Sequence, residues 1–193
     1  MEMVNLTTRQ QQIVDAALRI VARDGLPAAS FRVLAAEVGC SLGAVQKAFP
    51  SRDALLAASF ARLRERAVPL PAGEPGRPTL HAWLVELLLR LLPLDEERRA
   101  AQRQGDAFAQ WALAQPSVAA AIAESDQHIR ALLASLVRRA RAEKEIPAHV
   151  DAASTAWALL ALAQGSASQL LYSPEPEDEV RRRLNAAIGA MLR

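Results

Sequence analysis

Cysteine is almost absent. Cys40 is the single one in 193 residues, which excludes an internal disulfide. The three histidines, His81, His128 and His149, are scattered, with no i, i+4 pair and no neighbouring Cys or Asp cluster, so neither a metal site nor a cofactor is expected. Aromatic residues make up only 4%, whereas hydrophobic residues reach 51% and are mostly Ala and Leu. That composition disfavours strands and predicts an all-α chain. No apolar run approaches the ~20 residues that span a bilayer, since the longest, Ala156 to Ala163, meets Gln164. Met1 to Thr8 lacks a charged segment followed by an apolar one, so no signal peptide is expected and the expected location is the cytoplasm. There is no glycine-rich phosphate loop and no internal repeat, and Ser41 has no recognisable base beside it. Enzyme chemistry is therefore not expected.

What is present concentrates between Ser30 and Phe49. Ser30 suits an N-cap, and Leu34, Ala35 and Val38 follow at helical spacing. Gly39 stops that helix where a left-handed conformation costs glycine least. Ser41 caps a second helix with Leu42, Val45 and Phe49 on its inward face, leaving Gly43, Ala44, Gln46 and Lys47 outward. Two short amphipathic helices joined by a glycine turn form the skeleton of a helix-turn-helix DNA reader. Small residues near the helix start permit close approach to a phosphate backbone, and Gln46 and Lys47 reach phosphates or base edges. Cys40, inside the turn, reads as a buried structural thiol, the alternative being a redox sensor.

The pattern continues on both sides. Upstream, Ile13, Ala16, Ala17, Ile20 and Val21 make one helical face ending at Asp24-Gly25; downstream, Ser51-Arg52-Asp53-Ala54-Leu55 opens another helix. The run Ile13-Val14-Asp15-Ala16-Ala17-Leu18 and the run Gly39-Cys40-Ser41-Leu42-Gly43 through Phe49-Pro50-Ser51-Arg52-Asp53-Ala54-Leu55 together resemble the N-terminal domain of TetR-family transcriptional regulators. Leu42 stands where many relatives carry lysine, Gln46 where they carry tyrosine, and Ala48 where a second aromatic or histidine is common. The resemblance implies a DNA side formed by Arg32, Ser41, Leu42, Gly43, Ala44, Gln46, Lys47 and Arg52. Arg52 lies in the first turn after Ser51, where its guanidinium and the helix-end N–H groups suit one phosphate together.

The net charge of +2 is unevenly divided. Met1 to Arg66 holds nine basic and six acidic residues, a net of +3, so the rest of the chain carries −1. After Ala67, the stretch Val68 to Pro78 contains four prolines and two glycines and reads as a linker or irregular loop. Expected domains are therefore a reader at 7–67, with its helix-turn-helix at 30–49, and a helical regulatory and dimerisation domain at 68–193, about nine helices in all. In the second domain, Leu80 to Leu91 marks one helix, Ala107 to Ala112 another, and Ser117 to about Glu145 a third. Asp151 to Tyr172 is apolar on nearly every side, and a last helix carries a stripe of Val180, Leu184, Ala187, Ile188, Met191 and Leu192.

Pairing the last two helices with a second copy would bury both, through Leu160, Gly165, Ser168, Leu184, Ile188 and Met191, the alternative being a core within the chain alone. A homodimer presents two reading helices to successive major grooves of a partly palindromic double-stranded operator. The resemblance further implies a small-molecule effector held among the middle helices, with Trp83, Leu87, Phe108, Trp111, Gln127, His128 and Trp157 as its candidate walls, the alternative for the aromatics being plain core, and an output that is most often repression. The alternative is a helical sensor or interaction protein that keeps the fold without sequence-specific DNA binding, which the residues at Leu42, Gln46 and Ala48 leave open.

Overall fold

The computed structural model describes residues 6–65 and 79–193. Among the described residues there are nine α-helices and no strand: α1 (Thr8–Asp24), α2 (Phe31–Val38), α3 (Leu42–Ala48), α4 (Arg52–Glu65), α5 (Leu80–Leu91), α6 (Glu96–Ala112), α7 (Pro116–Ala142), α8 (Ala152–Tyr172) and α9 (Glu177–Met191). A 3-10 turn, Leu26–Ala28, joins α1 to α2. The all-α expectation holds, and the proline-rich stretch at 68–78 lies outside the described residues. The chain divides into two compact units: Met1–Pro69 with Arg103–Ala119, and Leu70–Gln102 with Ala120–Arg193.

The first unit is built around α1. Ile13, Val14, Ala16, Ala17, Leu18, Ile20 and Val21 are all buried, too wide an apolar surface for one stripe, and α1 packs on the 3-10 turn, α2, α3 and α4. Leu34 and Ala35 from α2, Val45 from α3, Phe49, and Leu55 and Leu56 from α4 fill the core around it. The C-terminal half of α6 completes this core. Phe108 is 0% exposed and sits 5.8 Å from the Phe60 ring and 6.2 Å from Trp111, edge-on to the latter. Arg103 Nε donates to the Ala22 carbonyl at 3.0 Å and Gln104 Nε2 to the Leu18 carbonyl at 2.7 Å, so α6 is also fixed to α1 by polar contacts.

In the second unit α5 lies along α9. Leu84 and Leu88 share a core with Val180, Leu184 and Ile188, joined by Leu133, Val137 and Ala140 of α7 and Ala156 and Leu159 of α8. The helix expected to reach about Glu145 ends at Ala142. There Lys144 takes a left-handed φ of 61°, its N–H donates to the Arg141 carbonyl at 3.0 Å, and the Glu145 N–H donates to the Ala140 carbonyl at 2.9 Å. This paired closure satisfies carbonyls that the last turn would otherwise leave without a partner. It also delivers the Glu145 carboxylate to the Leu80 N–H at the start of α5. On the surface of α9, hydrogen bonds from Arg182 and Arg183 hold the Glu179 carboxyl down to about 2, and Glu177, Asp178 and Glu179 occupy the first turn, where negative charge opposes the positive helix end.

Removing the Phe108 ring opens a cavity in the core of the first unit. Phe108→Ala should destabilise that unit by about 3–5 kcal/mol, read as a lowered urea midpoint in equilibrium unfolding followed by helical circular dichroism.

Candidate nucleic-acid interface

The reading element is assembled from caps and a turn. Ser30 accepts the Val33 N–H at 3.3 Å at the start of α2, and Ser41 accepts the Ala44 N–H at 3.2 Å at the start of α3. Gly39 adopts φ 69°, ψ 41°; its N–H donates to the Ala36 carbonyl at 3.2 Å while the Cys40 N–H donates to the Ala35 carbonyl at 2.9 Å. These two bonds close α2 and redirect the chain into α3 within three residues. Cys40 is half-buried, less enclosed than the buried thiol expected, and packs on the core of the first unit. Val45 and Phe49 anchor α3 inward, at 0% and 4% exposure.

Leu42 differs from its expected inward place, with 39% exposure. As the first residue of α3 its side chain projects back toward the preceding turn, beyond the contact that Val45 makes. Ser41, Gly43, Gln46 and Lys47 are exposed and Ala44 is half-exposed, so α3 offers one continuous outer face of mostly small and polar residues. Arg32, on α2, is exposed as well. The acidic residue of α2, Glu37, is flanked by Arg19 at 3.6 Å and Arg23 at 3.9 Å, which offsets its negative charge.

Arg52 is exposed, and part of its guanidinium also serves the chain itself. Its Nη2 donates to the Leu26 carbonyl at 2.7 Å and its Nε to the Ala29 carbonyl at 3.4 Å, so it fastens the 3-10 turn to the start of α4. The first turn of α4 is capped separately, by the Ser51 hydroxyl accepting the Ala54 N–H at 3.1 Å. Gln10, outside the expected DNA side, also holds α3. Its Nε2 donates to the Ala48 carbonyl at the end of α3, at 3.0 Å, while its Oε1 accepts the Thr7 N–H at 3.0 Å. The Thr7-x-x-Gln10 spacing was the available signal, since it marks a capping box at the start of a helix.

Of the seven residues expected around an effector, two fall in the first unit and five in the second. Phe108 and the half-buried Trp111 belong to the core of the first unit, because α6 contributes its C-terminal half there. Trp111 also lines a shallow recess of about 450 Å³ with Leu26, Pro27, Arg52, Ala107 and Gln110. In the second unit Leu87 is buried and Trp83 packs half-buried against the core, whereas Gln127 and His128 are exposed and Trp157 is 61% exposed on α8. A groove of about 520 Å³ runs between α8 and α9, lined by Leu162, Leu170, Tyr172, Val180 and Leu184 among others.

The residues expected between two copies also separate. Leu184 and Ile188 are 3% and 0% exposed because their stripe packs inside the chain, where α9 lies on α5. They are therefore removed from that set. Leu160, Ser168 and Met191 are half-buried, and Gly165 is exposed. No group of three or more His, Cys, Asp or Glu suited to a metal ion occurs among the described residues. Among the same residues, no helix is long and apolar enough to cross a membrane.

Two family models match the chain. One, described as "Bacterial regulatory proteins, tetR family", matches residues 13–59, and one described as "BetI-type transcriptional repressor, C-terminal" matches residues 80–193. The chain is 40% identical over 65 residues to the HTH-type nicotine-responsive transcriptional repressor HdnoR of Paenarthrobacter nicotinovorans, a match covering 34% of each protein. The match thus spans about a third of that relative's length. Among solved structures, a transcriptional regulator from Rhodococcus sp. Rha1 has a TM-score of 0.81 at 29% identity, covering 96% of both chains. The multidrug binding protein EbrR complexed with ethidium has a TM-score of 0.68 at 26% identity, covering 96% of this chain and 99% of that one.

Arg52→Ala removes two charge-assisted hydrogen bonds to backbone carbonyls and should cost about 1 kcal/mol in DNA-free protein, read as a lowered thermal midpoint. Arg52→Lys should recover only part of the loss, because one ammonium cannot reproduce the guanidinium fork.

Proposed function

Because the chain belongs to the TetR family of transcriptional regulators, with a C-terminal part matching the BetI type, we propose that it is a dimeric, ligand-responsive repressor acting on DNA in the cytoplasm. The observation that carries the reading is the outer face of α3. A capped, seven-residue helix is anchored by Val45 and Phe49 and turns Gly43, Gln46 and Lys47 to solvent. Gly43 and Ala44 allow a close approach to the phosphate backbone, Lys47 supplies charge, and Gln46 can pair with the edge of an adenine. Residues 7–67 supply this reader in the proposed division of labour, and residues 68–193 supply regulation and dimerisation, with the tail of α6 lent to the reader's core.

The surface that favours a homodimer is the outer side of α8. Ala153, Trp157, Ala161, Gly165 and Tyr172 are exposed and recur at helical spacing. Trp157 is 61% exposed and Tyr172 is 87% exposed, more apolar surface than a single helix normally leaves in water. A Cβ placed on Gly165 would meet nothing within 4 Å, so its lack of a side chain leaves open room for a second helix rather than serving packing inside the chain. Leu160, Ser168 and Met191 stay in the proposed interface. The reading also explains the exposure of Trp157, which was expected at an effector.

For the effector, organic cations are the proposed class. HdnoR is named for its response to nicotine and EbrR is solved with ethidium, so these two compounds form the first panel. A ligand releases DNA only in proportion to its preference for the conformation that does not fit the operator.

Selecting duplexes from a random library with the purified protein tests the reading directly. A partly palindromic site should emerge, Lys47→Ala should lower the salt slope of binding by about one per protomer, and one of the panel compounds should weaken the complex. Recovery of no preferred duplex would refute DNA reading. Sedimentation should show a dimer at micromolar concentration that Gly165→Trp or Trp157→Asp converts to monomer; a wild-type monomer would remove the proposed interface.

A further inference from the structure

Recognition helix α3 has seven residues, and its end carries carbonyls without helical partners. One of them, that of Ala48, is taken by the side chain of Gln10 across 38 positions of sequence, in a part-buried contact of 3.0 Å. The same amide is committed at its other end. Gln10 Oε1 accepts the Thr7 N–H at 3.0 Å and faces the Thr7 hydroxyl at 3.0 Å, and the Gln10 N–H donates to the Thr7 hydroxyl at 3.3 Å. A backbone N–H can only donate and a carbonyl can only accept, so the two partners fix which end of the amide faces which. The capping box of α1 and the end of α3 are therefore held by one rigid planar group.

We propose that Gln10 is a positioning residue for DNA reading: its amide sets the end of α3 against the start of α1 and so fixes the angle at which Gln46 and Lys47 meet the groove. This rests on the reading role proposed above for α3. The two functions of the amide can be separated by substitution. Gln10→Glu keeps an oxygen for the Thr7 N–H, and a carboxylate in the first turn of a helix is favoured, but it loses the donor to Ala48. Gln10→Lys keeps a donor within reach of the Ala48 carbonyl and loses the acceptor for Thr7. Gln12→Glu and Gln12→Lys add the same charges two residues along the exposed part of α1.

The experiment compares these four variants of the full chain for binding to the duplex that the wild type selects and to an unrelated duplex of equal length. The ratio of the two affinities cancels the nonspecific effect of charge. Gln10→Glu should lower that ratio about tenfold relative to Gln12→Glu with a similar thermal midpoint, about the loss of one well-made base contact. Gln10→Lys should keep the ratio of Gln12→Lys while its thermal midpoint falls. In DNA-free protein, the Ala48 carbonyl carbon resonance should shift in Gln10→Glu and not in Gln12→Glu. Equal ratios for Gln10→Glu and Gln12→Glu in a protein that does select a duplex would overturn the role of Gln10, as would an unmoved Ala48 resonance. A wild type that selects no duplex overturns instead the reading role of α3.

Discussion

A helix of seven residues does not hold itself together in water. Nucleation fixes several residues before the first hydrogen bond is repaid, and helices shorter than roughly 12 residues are marginal even with favourable composition. The shape of α3 is thus imposed from outside: Ser41 caps its start, Val45 and Phe49 bury its inner side, and Gln10 takes the carbonyl at its end. Everything the outer face can do chemically depends on that imposed geometry, because small changes in the angle of a short helix displace a base-reading side chain by more than a hydrogen bond tolerates. The wide apolar surface of α1 serves the same end, since α2, α3 and α4 all use it as their common floor.

What could be read directly from the sequence was what short-range periodicity and capping express. The pattern Ser30, Leu34, Ala35, Gly39, Ser41, Val45, Phe49 was recognisable as two helices and a turn because each residue acts within four positions of itself, and the observed caps and the left-handed Gly39 agree. Contacts across long separations were invisible. Gln10 to Ala48 and Arg52 to Leu26 join residues 38 and 26 positions apart, and nothing in composition pairs a side-chain donor with one backbone carbonyl among many. The first part of α6 was missed because residues 96–106 include few apolar side chains to mark a face. The stripe on α9 was seen correctly as a stripe, but a stripe does not say whether its partner is the same chain; the burial of Leu184 and Ile188 against α5 decides that.

Helix α6 is divided between the two units: its residues from Arg103 count with the first and those before it with the second. Phe108 therefore belongs to the core built on α1, where its ring meets Phe60 of α4 and Trp111. A large ring with no exposed surface contributes to that core through many small contacts at once, so its place is set by packing.

The division of charge bears on how such a reader gains affinity. With Leu42, Gln46 and Ala48 supplying no cation, Lys47, Arg32 and Arg52, the last with two of its donors used on backbone carbonyls, are the charged side chains of the expected face. Each phosphate neutralised contributes to affinity through released counterions, so a face with few cations binds weakly as a single copy. Joining two copies makes the second half-site contact intramolecular, raising affinity by orders of magnitude without adding a charge. On the proposed reading the exposed face of α8 is thus as necessary to DNA binding as α3, and the lean reader carries a regulatory advantage. A ligand that only alters the spacing of the two copies forfeits that gain, because neither half-site holds the protein alone.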